Sequence, residues 1–170
     1  MKDKHIKILL IEDSHEESRL IREEMKDAYG DMFEVKCEER LSTGLECMEK
    51  EKFDIVLLDL SLPDSHGLDT FTKVHESANG TPIVVLSGND DESMAIKTVQ
   101  LGALDYMIKG RLTIDMTVRS IFYAIERQKA LDKITMKSIE TLPRINQDPD
   151  DYVNTVNELL KEPREDNKII

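Results

Sequence analysis

Five short apolar segments, each followed by a stretch with helical periodicity, constrain this chain more than any other feature of its sequence. The first, Ile6–Ile11, is an almost continuous apolar run, typical of a strand that is covered on both faces. Similar strand segments lie at 33–37, 55–58, 82–86 and 105–108. Strands that alternate with helices through short connections form a parallel sheet with helices on both faces. The sequence therefore predicts an α/β fold with a doubly wound sheet of five strands.

The intervening segments carry signals for the ends of helices. Ser14 is placed to cap a first helix that stops at Tyr29-Gly30, and Ser42 is placed to open a second. Apolar spacing predicts further helices near 68–77 and 94–101. A long last helix begins near Met116 and is expected to continue through Leu131 and Ile134.

Composition excludes several classes of function. The chain has 170 residues and a formal net charge of −12, whereas binding to nucleic-acid phosphates needs clustered Lys and Arg. We therefore expect no direct contact with nucleic acid. The sequence also contains no apolar run long enough for a bilayer and no secretory leader at Met1, so we expect a cytoplasmic protein without membrane insertion. Cys37 and Cys47 show no metal-ligand spacing and are expected to be reduced thiols.

Polar residues that are unusual for such positions follow four of the five predicted strands. Glu12 and Asp13 follow the first strand, Asp59 the third, Ser87 the fourth and Lys109 the fifth. In a doubly wound sheet these strand ends converge on the edge where ligands bind. Carboxylates held together beside apolar strands need a cation, and Mg²⁺ prefers oxygen ligands of this kind. The first turn has no glycine-rich phosphate loop, which argues against dinucleotide, flavin and P-loop sites.

This set of residue types suits a phosphoryl transfer to a carboxylate. With a divalent cation to neutralise charge, Asp59 can attack phosphorus in line. Lys109 can pair with the phosphoryl oxygens, and the hydroxyl of Ser87 can donate a hydrogen bond to another. Each polar strand end then has a chemical role.

Four blocks of the sequence resemble the receiver domain of two-component response regulators, in particular the single-domain, chemotaxis-type members. The blocks are IEDS at 11–14, LLDLSLPDSHG at 57–67, LSG at 86–88 and DYMIK at 105–109. Their order and spacing match the family over residues 4–128. The resemblance implies a flavodoxin-like sheet with strand order 2-1-3-4-5 and helices on both faces.

The resemblance also implies a role for each matching residue. Asp59 corresponds to the aspartate that takes a phosphoryl group from a histidine kinase. The ligands of Mg²⁺, or of Mn²⁺, would be Asp13, Asp59 and the backbone carbonyl of Ser61, with Glu12 acting through water. Ser87 and Lys109 correspond to the hydroxyl and the lysine that sense the phosphoryl group in this family. Tyr106 corresponds to the family's switch aromatic. Ser87 and Tyr106 together would form the conformational switch.

Residues 129–170 match no effector domain that the sequence reveals. We expect residues 1–128 to form the receiver and residues 129–170 a short helical extension. A break is predicted at Leu142-Pro143, a further short helix at 150–161 and a frayed end from 162 to 170.

The leading hypothesis is a response regulator that switches protein–protein interactions when Asp59 is phosphorylated by a sensor histidine kinase. Such a protein catalyses only its own phosphoryl transfer and autodephosphorylation, and its downstream target stays open. One alternative is a phosphate sink or a scaffold without its own output. Another is an aspartyl-phosphate phosphatase or phosphotransferase, but such enzymes need a second acid two residues after the nucleophile, where this chain has Ser61.

A homodimer is a further expectation for the phosphorylated state. The surface expected to rearrange includes the helix at 95–101, the fifth strand and the last receiver helix. Ile121 and Ile125, which lie beside charged residues on that last helix, are predicted to supply apolar contacts between two copies.

Overall fold

The structure, a computed structural model, describes residues 5–88 and 91–141. Its main sheet has five parallel strands, which are β1 (Ile6–Ile11), β2 (Phe33–Glu38), β3 (Ile55–Asp59), β4 (Ile83–Ser87) and β5 (Asp105–Ile108). The strands lie in the order β2-β1-β3-β4-β5. This arrangement confirms the predicted doubly wound sheet, and the bounds of β1 and β5 are those read from the sequence.

A helix follows each of the five strands. The helices are α1 (His15–Tyr29), α2 (Leu41–Lys50), α3 (Gly67–Ser77), α4 (Glu92–Gln100) and α5 (Ile114–Thr141). Helix α1 begins after Ser14, whose hydroxyl accepts a hydrogen bond from the backbone N–H of Glu17. The side chain of Ser14 therefore satisfies one of the free amide groups at the start of this helix, as the sequence predicts.

Alternate residues of the strands pack into two cores on opposite faces of the sheet. On one face, Leu9 and Leu58 pack with Phe71 of α3 and Leu41 of α2. On the other face, Leu10 and Leu57 belong to a core that contains the buried apolar residues of α1 and α5, namely Met25, Val118, Ile121 and Ala124. Burial on both faces explains why the central strands read as continuous apolar runs.

Helix α2 begins differently from the prediction. Its first residue is Leu41, and Ser42 does not cap it. Instead, the carboxylate of Asp64 accepts hydrogen bonds from the backbone N–H groups of Leu41 (2.9 Å) and Ser42 (3.0 Å). Asp64 lies in the loop after β3, within a short hairpin that pairs Ser61–Leu62 with Ser65–His66. A residue distant in sequence therefore sets the start of this helix.

Helix α5 continues past Leu131 and Ile134, as predicted. Its residue Ile121 is fully buried, at 0% exposure, so the prediction that Ile121 contributes to an exposed dimer surface is wrong. Ile121 instead packs in the same core as Met25, and Ile125 is partly buried against that core. The stripe that contains them faces the sheet because a helix covering a sheet turns its apolar side inward.

The chain divides into two compact units, with the boundary between Lys133 and Ile134. The described residues of the second unit, 134–141, are helical. The receiver boundary at residue 128 stays a prediction. The predicted break at Leu142-Pro143, the helix at 150–161 and the end at 162–170 all lie outside the described residues. In the part that the structure describes, no helix combines the length and apolarity needed to cross a membrane.

Candidate functional site

Three acidic side chains meet at the carboxyl edge of the sheet, where the sequence places them. One carboxylate oxygen each from Glu12, Asp13 and Asp59 lies within 4.8 Å of the others. Glu12 and Asp59 are buried, whereas Asp13 is exposed. The cluster is therefore open to solvent on the side of Asp13 and closed by the protein on the side of Glu12.

The sheet itself positions these residues. Asp59 is the last residue of β3 and pairs in register with Leu86 of β4, so its backbone is held by neighbouring strands. Glu12 directly follows β1, and its N–H donates to the carbonyl of Glu38 at 2.9 Å. Because β1 and β3 are adjacent, the ends of these two strands bring the carboxyl groups side by side.

Burial makes the charge of Glu12 costly. Desolvation is the largest effect on this carboxyl and, against the hydrogen bonds from Lys109 and the backbone of Ser14, raises its pKa from 4.5 to about 7. The nearby charge of Asp59 contributes to this rise in the pKa of Glu12. One oxygen of Glu12 accepts a hydrogen bond from Ser14 N–H at 3.0 Å. The other oxygen, Oε2, lies in the buried side chain and forms an ion pair with the Lys109 ammonium.

The ammonium group of Lys109 is the cation that faces this cluster. Its Nζ lies 2.9 Å from Oδ2 of Asp59 and 2.6 Å from Oε2 of Glu17, and it also contacts Oε2 of Glu12. Burial opposes the charged form of Lys109, but hydrogen bonds to the three carboxylates outweigh burial and raise its pKa above the ordinary value. Lys109 therefore stays protonated and offers its three N–H groups to these three carboxylates.

Asp59 is held at both of its carboxylate oxygens. Oδ1 accepts a hydrogen bond from the backbone N–H of Ser61 at 3.0 Å, and Oδ2 accepts from Lys109 at 2.9 Å. Ser61 begins the short hairpin after β3, so the backbone of this loop lies beside the carboxylate of Asp59. The side chain of Asp59, only 5% exposed, therefore has a fixed orientation at the edge of the sheet.

The two residues of the predicted switch lie on β4 and β5, the two strands that follow β3 in the sheet. Ser87 is the last residue of β4, is buried, and follows Leu86, the register partner of Asp59. Tyr106 lies on β5 and packs, partly buried, against the core that contains Leu58. The fold thus places Ser87 on the strand adjacent to Asp59 and Tyr106 on the strand after it. Their functional roles stay predictions.

In many receiver domains, which this sequence resembles, proline follows the corresponding lysine. Here Gly110 follows, and residues Lys109–Arg111 form one turn of 3-10 helix. No peptide bond within the described residues is cis. The Lys109 ammonium nevertheless reaches Asp59, so the substitution of proline by Gly110 leaves the lysine in contact with the site.

Sequence reasoning missed Glu17, the third carboxylate on Lys109. The sequence does contain a signal at this position, because Ser14 and Glu17 have the spacing of a capping box, in which the glutamate bonds the N–H of the cap residue. In the structure, Glu12 takes the N–H of Ser14 instead. The carboxylate of Glu17 is then available to Lys109, and only the tertiary structure reveals this exchange.

The donor set fits a hard divalent cation. Three carboxylate oxygens within 4.8 Å of one another, with the exposed Asp13 among them, are the ligands and the spacing that Mg²⁺ or Mn²⁺ accepts. A cation there would also compensate the negative charge that Lys109 only partly balances. Glu12, Asp13 and Asp59 are therefore the side chains that would hold the metal.

Comparisons with known proteins agree with this geometry. A family model described as the response regulator receiver domain matches residues 8–118. The chain is 30% identical over 113 residues to the regulatory protein VanR of Enterococcus faecium, an alignment that covers 66% of this chain and 47% of VanR. It is 30% identical over 133 residues to the cell cycle transcriptional regulator CtrA of Caulobacter vibrioides, covering 78% of this chain and 56% of CtrA.

Solved structures show the same architecture. A response regulator receiver domain from Clostridium thermocellum superposes with a TM-score of 0.65 at 25% identity, covering 74% of this chain and 98% of that domain. By contrast, the chain spans about half the length of VanR and CtrA, with 47% and 56% of those proteins aligned. The similarity therefore concerns the domain that carries the acidic cluster.

Proposed function

The chain belongs to the family of response regulator receiver domains, and we propose that Asp59 is the residue on which it accepts a phosphoryl group. The observation that carries this proposal is the environment of Asp59. Its buried carboxylate lies at the end of β3, 2.9 Å from the Lys109 ammonium and beside two further acidic side chains. A nucleophilic carboxylate, a fixed cation and a divalent-metal site are the parts that phosphoryl transfer to aspartate requires.

In the proposed reaction, a carboxylate oxygen of Asp59 attacks the phosphorus of a phosphohistidine on a sensor kinase. The bond between phosphorus and the imidazole nitrogen breaks, and its electron pair leaves with the nitrogen. The product is an aspartyl phosphate. Lys109 already contacts Oδ2 of Asp59 and can donate to the phosphoryl oxygens as their charge develops. Asp13, Asp59 and the Ser61 carbonyl would hold Mg²⁺, with Glu12 acting through water, and the cation would supply neutralisation of the charge on the transferred group.

The position of Ser87 supports a role in sensing the phosphoryl group. Its hydroxyl lies at the end of the strand next to Asp59, and Tyr106 lies on the following strand. We propose that the hydroxyl of Ser87 turns toward the phosphoryl group and that Tyr106 then moves inward. A local change of charge would in this way shift the population of two conformations.

The proposed partners are a sensor histidine kinase and a downstream protein, both in the cytoplasm. The chain itself would catalyse only its own phosphorylation and the slow hydrolysis of the aspartyl phosphate. VanR and CtrA are regulators of about twice the aligned length, so their whole-protein activities are not carried over to this chain. A phosphatase acting on small substrates is disfavoured, because Ser61 occupies the place where such an enzyme needs a second acid.

We also propose that phosphorylation promotes self-association through α4. This helix and its C-terminal cap residue expose three large apolar side chains, Ile96 (51% exposed), Val99 (44%) and Leu101 (49%). They replace Ile121, which is buried, as the candidate apolar contacts. Exposed apolar side chains on one short helix are suited to a contact that forms in one state of a switch.

Labelling of the chain by radioactive acetyl phosphate in the presence of Mg²⁺ tests whether Asp59 is the phosphoryl acceptor. We expect the purified chain to become labelled and Asp59→Asn to remain unlabelled. Asp27→Asn, which changes an exposed carboxylate on α1, should be labelled like the unaltered chain. Label retained on Asp59→Asn would contradict the assignment. Sustained turnover of small phosphate esters would favour the phosphatase alternative.

A further inference from the structure

The contact between Glu17 and Lys109 suggests a function for a residue outside the acidic cluster. Glu17 lies in the first turn of α1, and its Oε2 is 2.6 Å from Nζ of Lys109. An exposed glutamate at this position would ordinarily bond the N–H of its own helix cap. That N–H belongs to Ser14 and is already used by Glu12, so the carboxylate of Glu17 turns to Lys109.

Lys109 has as many N–H donors as carboxylate partners in the unmodified site. Its ammonium carries three N–H groups, and the carboxylates of Glu12, Asp59 and Glu17 contact it. A phosphoryl group on Asp59 brings further oxygens and negative charge to the same place. To donate to these oxygens, Lys109 has to give up at least one of its present contacts.

Glu17 is the partner that can leave at least cost. Its side chain is 47% exposed and can turn into water, whereas that of Glu12 is 1% exposed and would lose its contact inside the protein. Breaking a buried charge pair costs much more than breaking an exposed one. In addition, a carboxylate that stayed on Lys109 would lie close to the incoming phosphoryl charge and repel it.

We propose that Glu17 is a positioning residue that holds Lys109 in the unmodified receiver and releases it when Asp59 gains a phosphoryl group. The contact stabilises only the unmodified state. Glu17 therefore opposes phosphorylation and lowers the affinity of the site for the phosphoryl group. The inference rests on the proposed function of Asp59.

Beryllofluoride binding provides the test, because beryllofluoride takes the place of the phosphoryl group on the acceptor aspartate. The titration uses the full chain at fixed Mg²⁺ and follows bound fluoride by fluorine NMR. We expect Glu17→Gln to bind beryllofluoride about two- to five-fold more tightly. This factor corresponds to the free energy of an ion pair in which one partner is half exposed. Glu16→Gln, an equal change of charge on the neighbouring exposed residue, should leave the affinity unchanged.

A second variant separates contact from charge. Glu17→Asp keeps the negative charge but is one methylene shorter, so it should lose the contact and also bind beryllofluoride more tightly. The proposal is overturned if Glu17→Gln binds like the unaltered chain. It is also overturned if the affinity of Glu16→Gln for beryllofluoride rises as much as that of Glu17→Gln. A third contradicting result is a higher affinity in Glu17→Gln but not in Glu17→Asp. Either of these results indicates a general effect of charge.

The same experiment distinguishes failure of the inference from failure of the proposed function. If the unaltered chain binds no beryllofluoride with Mg²⁺, both the role of Asp59 and the role of Glu17 are refuted. If the unaltered chain binds and the Glu17 variants do not differ from it, only the role of Glu17 is refuted. Thermal unfolding of each variant shows whether a change of affinity accompanies a change of stability, and the proposal requires tighter binding without higher stability.

Discussion

Asp13 differs from the other two members of the acidic cluster because it is exposed. Glu12 and Asp59 are buried and contact Lys109, so part of their charge is compensated by the protein. Asp13 contributes negative charge at the open side of the cluster. At the scale of the residue, we therefore expect the charge of Asp13 to be compensated by a cation that approaches from solvent.

We expect Mg²⁺ to stabilise the chain and Asp13→Asn to reduce this effect. A ligand that binds only the folded state adds RT ln(1 + [L]/Kd), about 1.4 kcal/mol at ten times its dissociation constant. Thermal unfolding with EDTA and then with Mg²⁺ measures the difference. Asp31→Asn, an exposed carboxylate beyond α1, serves as the control and should keep the full Mg²⁺ effect. An undiminished effect in Asp13→Asn would remove this residue from the metal site.

Helix α2 depends on two contacts with residues outside itself. At its start, Asp64 accepts hydrogen bonds from the backbone of Leu41 and Ser42. Along its length, Gly44 lies against the side chain of Ile11 at the end of β1. Because Ile11 precedes Glu12, the packing of this helix bears on the strand end that carries the acidic cluster.

The cap at α2 should make part of the stability depend on pH. Hydrogen bonds from the backbone of Ser42 and Leu41 lower the pKa of Asp64 below 3.8, so the carboxylate stabilises the fold at pH above this value. Its contribution is lost as pH falls through the lowered pKa. We expect Asp64→Ala to reduce the free energy of unfolding by about 1 kcal/mol at neutral pH, measured with urea, and by less in acid.

Ser14→Ala is the matched control, since it removes the cap of α1, which is a hydroxyl that does not titrate in this range. The loss of free energy of unfolding in Ser14→Ala should be similar at neutral and at acid pH. An equal loss of stability for Asp64→Ala at both pH values would show that the carboxylate charge is not what caps α2.

Gly44 allows α2 to approach the sheet closely. A Cβ built on this residue would lie 2.5 Å from Cδ1 of Ile11 and 3.0 Å from its Cγ1. Alanine in a helix is otherwise favoured over glycine by about 1 kcal/mol. We expect Gly44→Ala to destabilise the chain in spite of this preference, because Ile11 is fully buried and has little room to move.

The double variant Gly44→Ala/Ile11→Val identifies the cause. Valine lacks Cδ1, the atom nearest to the added methyl group, so the second change should recover part of the lost stability. Urea unfolding of the two single variants and the double variant measures the coupling. If the two effects simply add, the close approach to Ile11 is not the reason that glycine is needed.

At the scale of the whole molecule, the two faces of the sheet pack against different helices. One core joins the sheet to α1 and α5, and the other joins it to α2 and α3. The acidic cluster lies at the carboxyl edge, where residues from β1, β3 and β5 meet. Helix α4 packs against β5, the strand that carries Tyr106, and exposes apolar side chains to solvent.

Sedimentation equilibrium tests the proposed self-association. We expect the mass of the chain to rise toward that of a dimer when beryllofluoride is added with Mg²⁺, and Ile96→Ser to reduce the rise. Leu20→Ser, which changes an equally exposed leucine on α1 (54%), should not reduce it. A monomeric mass at high concentration, with beryllofluoride bound, would contradict the proposed dimer.

The sequence by itself determined the order of the elements and the residues at the strand ends. The bounds of β1 and β5, the cap of α1 and the position of Asp59 at the end of β3 all follow from local patterns. These features depend on hydrophobic periodicity and on capping within a few residues, which the sequence displays directly. The polar strand ends could be predicted to meet because a parallel sheet brings its carboxyl ends to one edge.

The tertiary structure alone decided the contacts between residues distant in the chain. Asp64 caps α2 from the loop after β3, Glu17 turns to Lys109, and Ile121 faces the core. Each outcome depends on which of several competing partners is nearest once the helices pack. A sequence lists the candidate donors and acceptors, but the competition between them is settled by the three-dimensional arrangement of the elements.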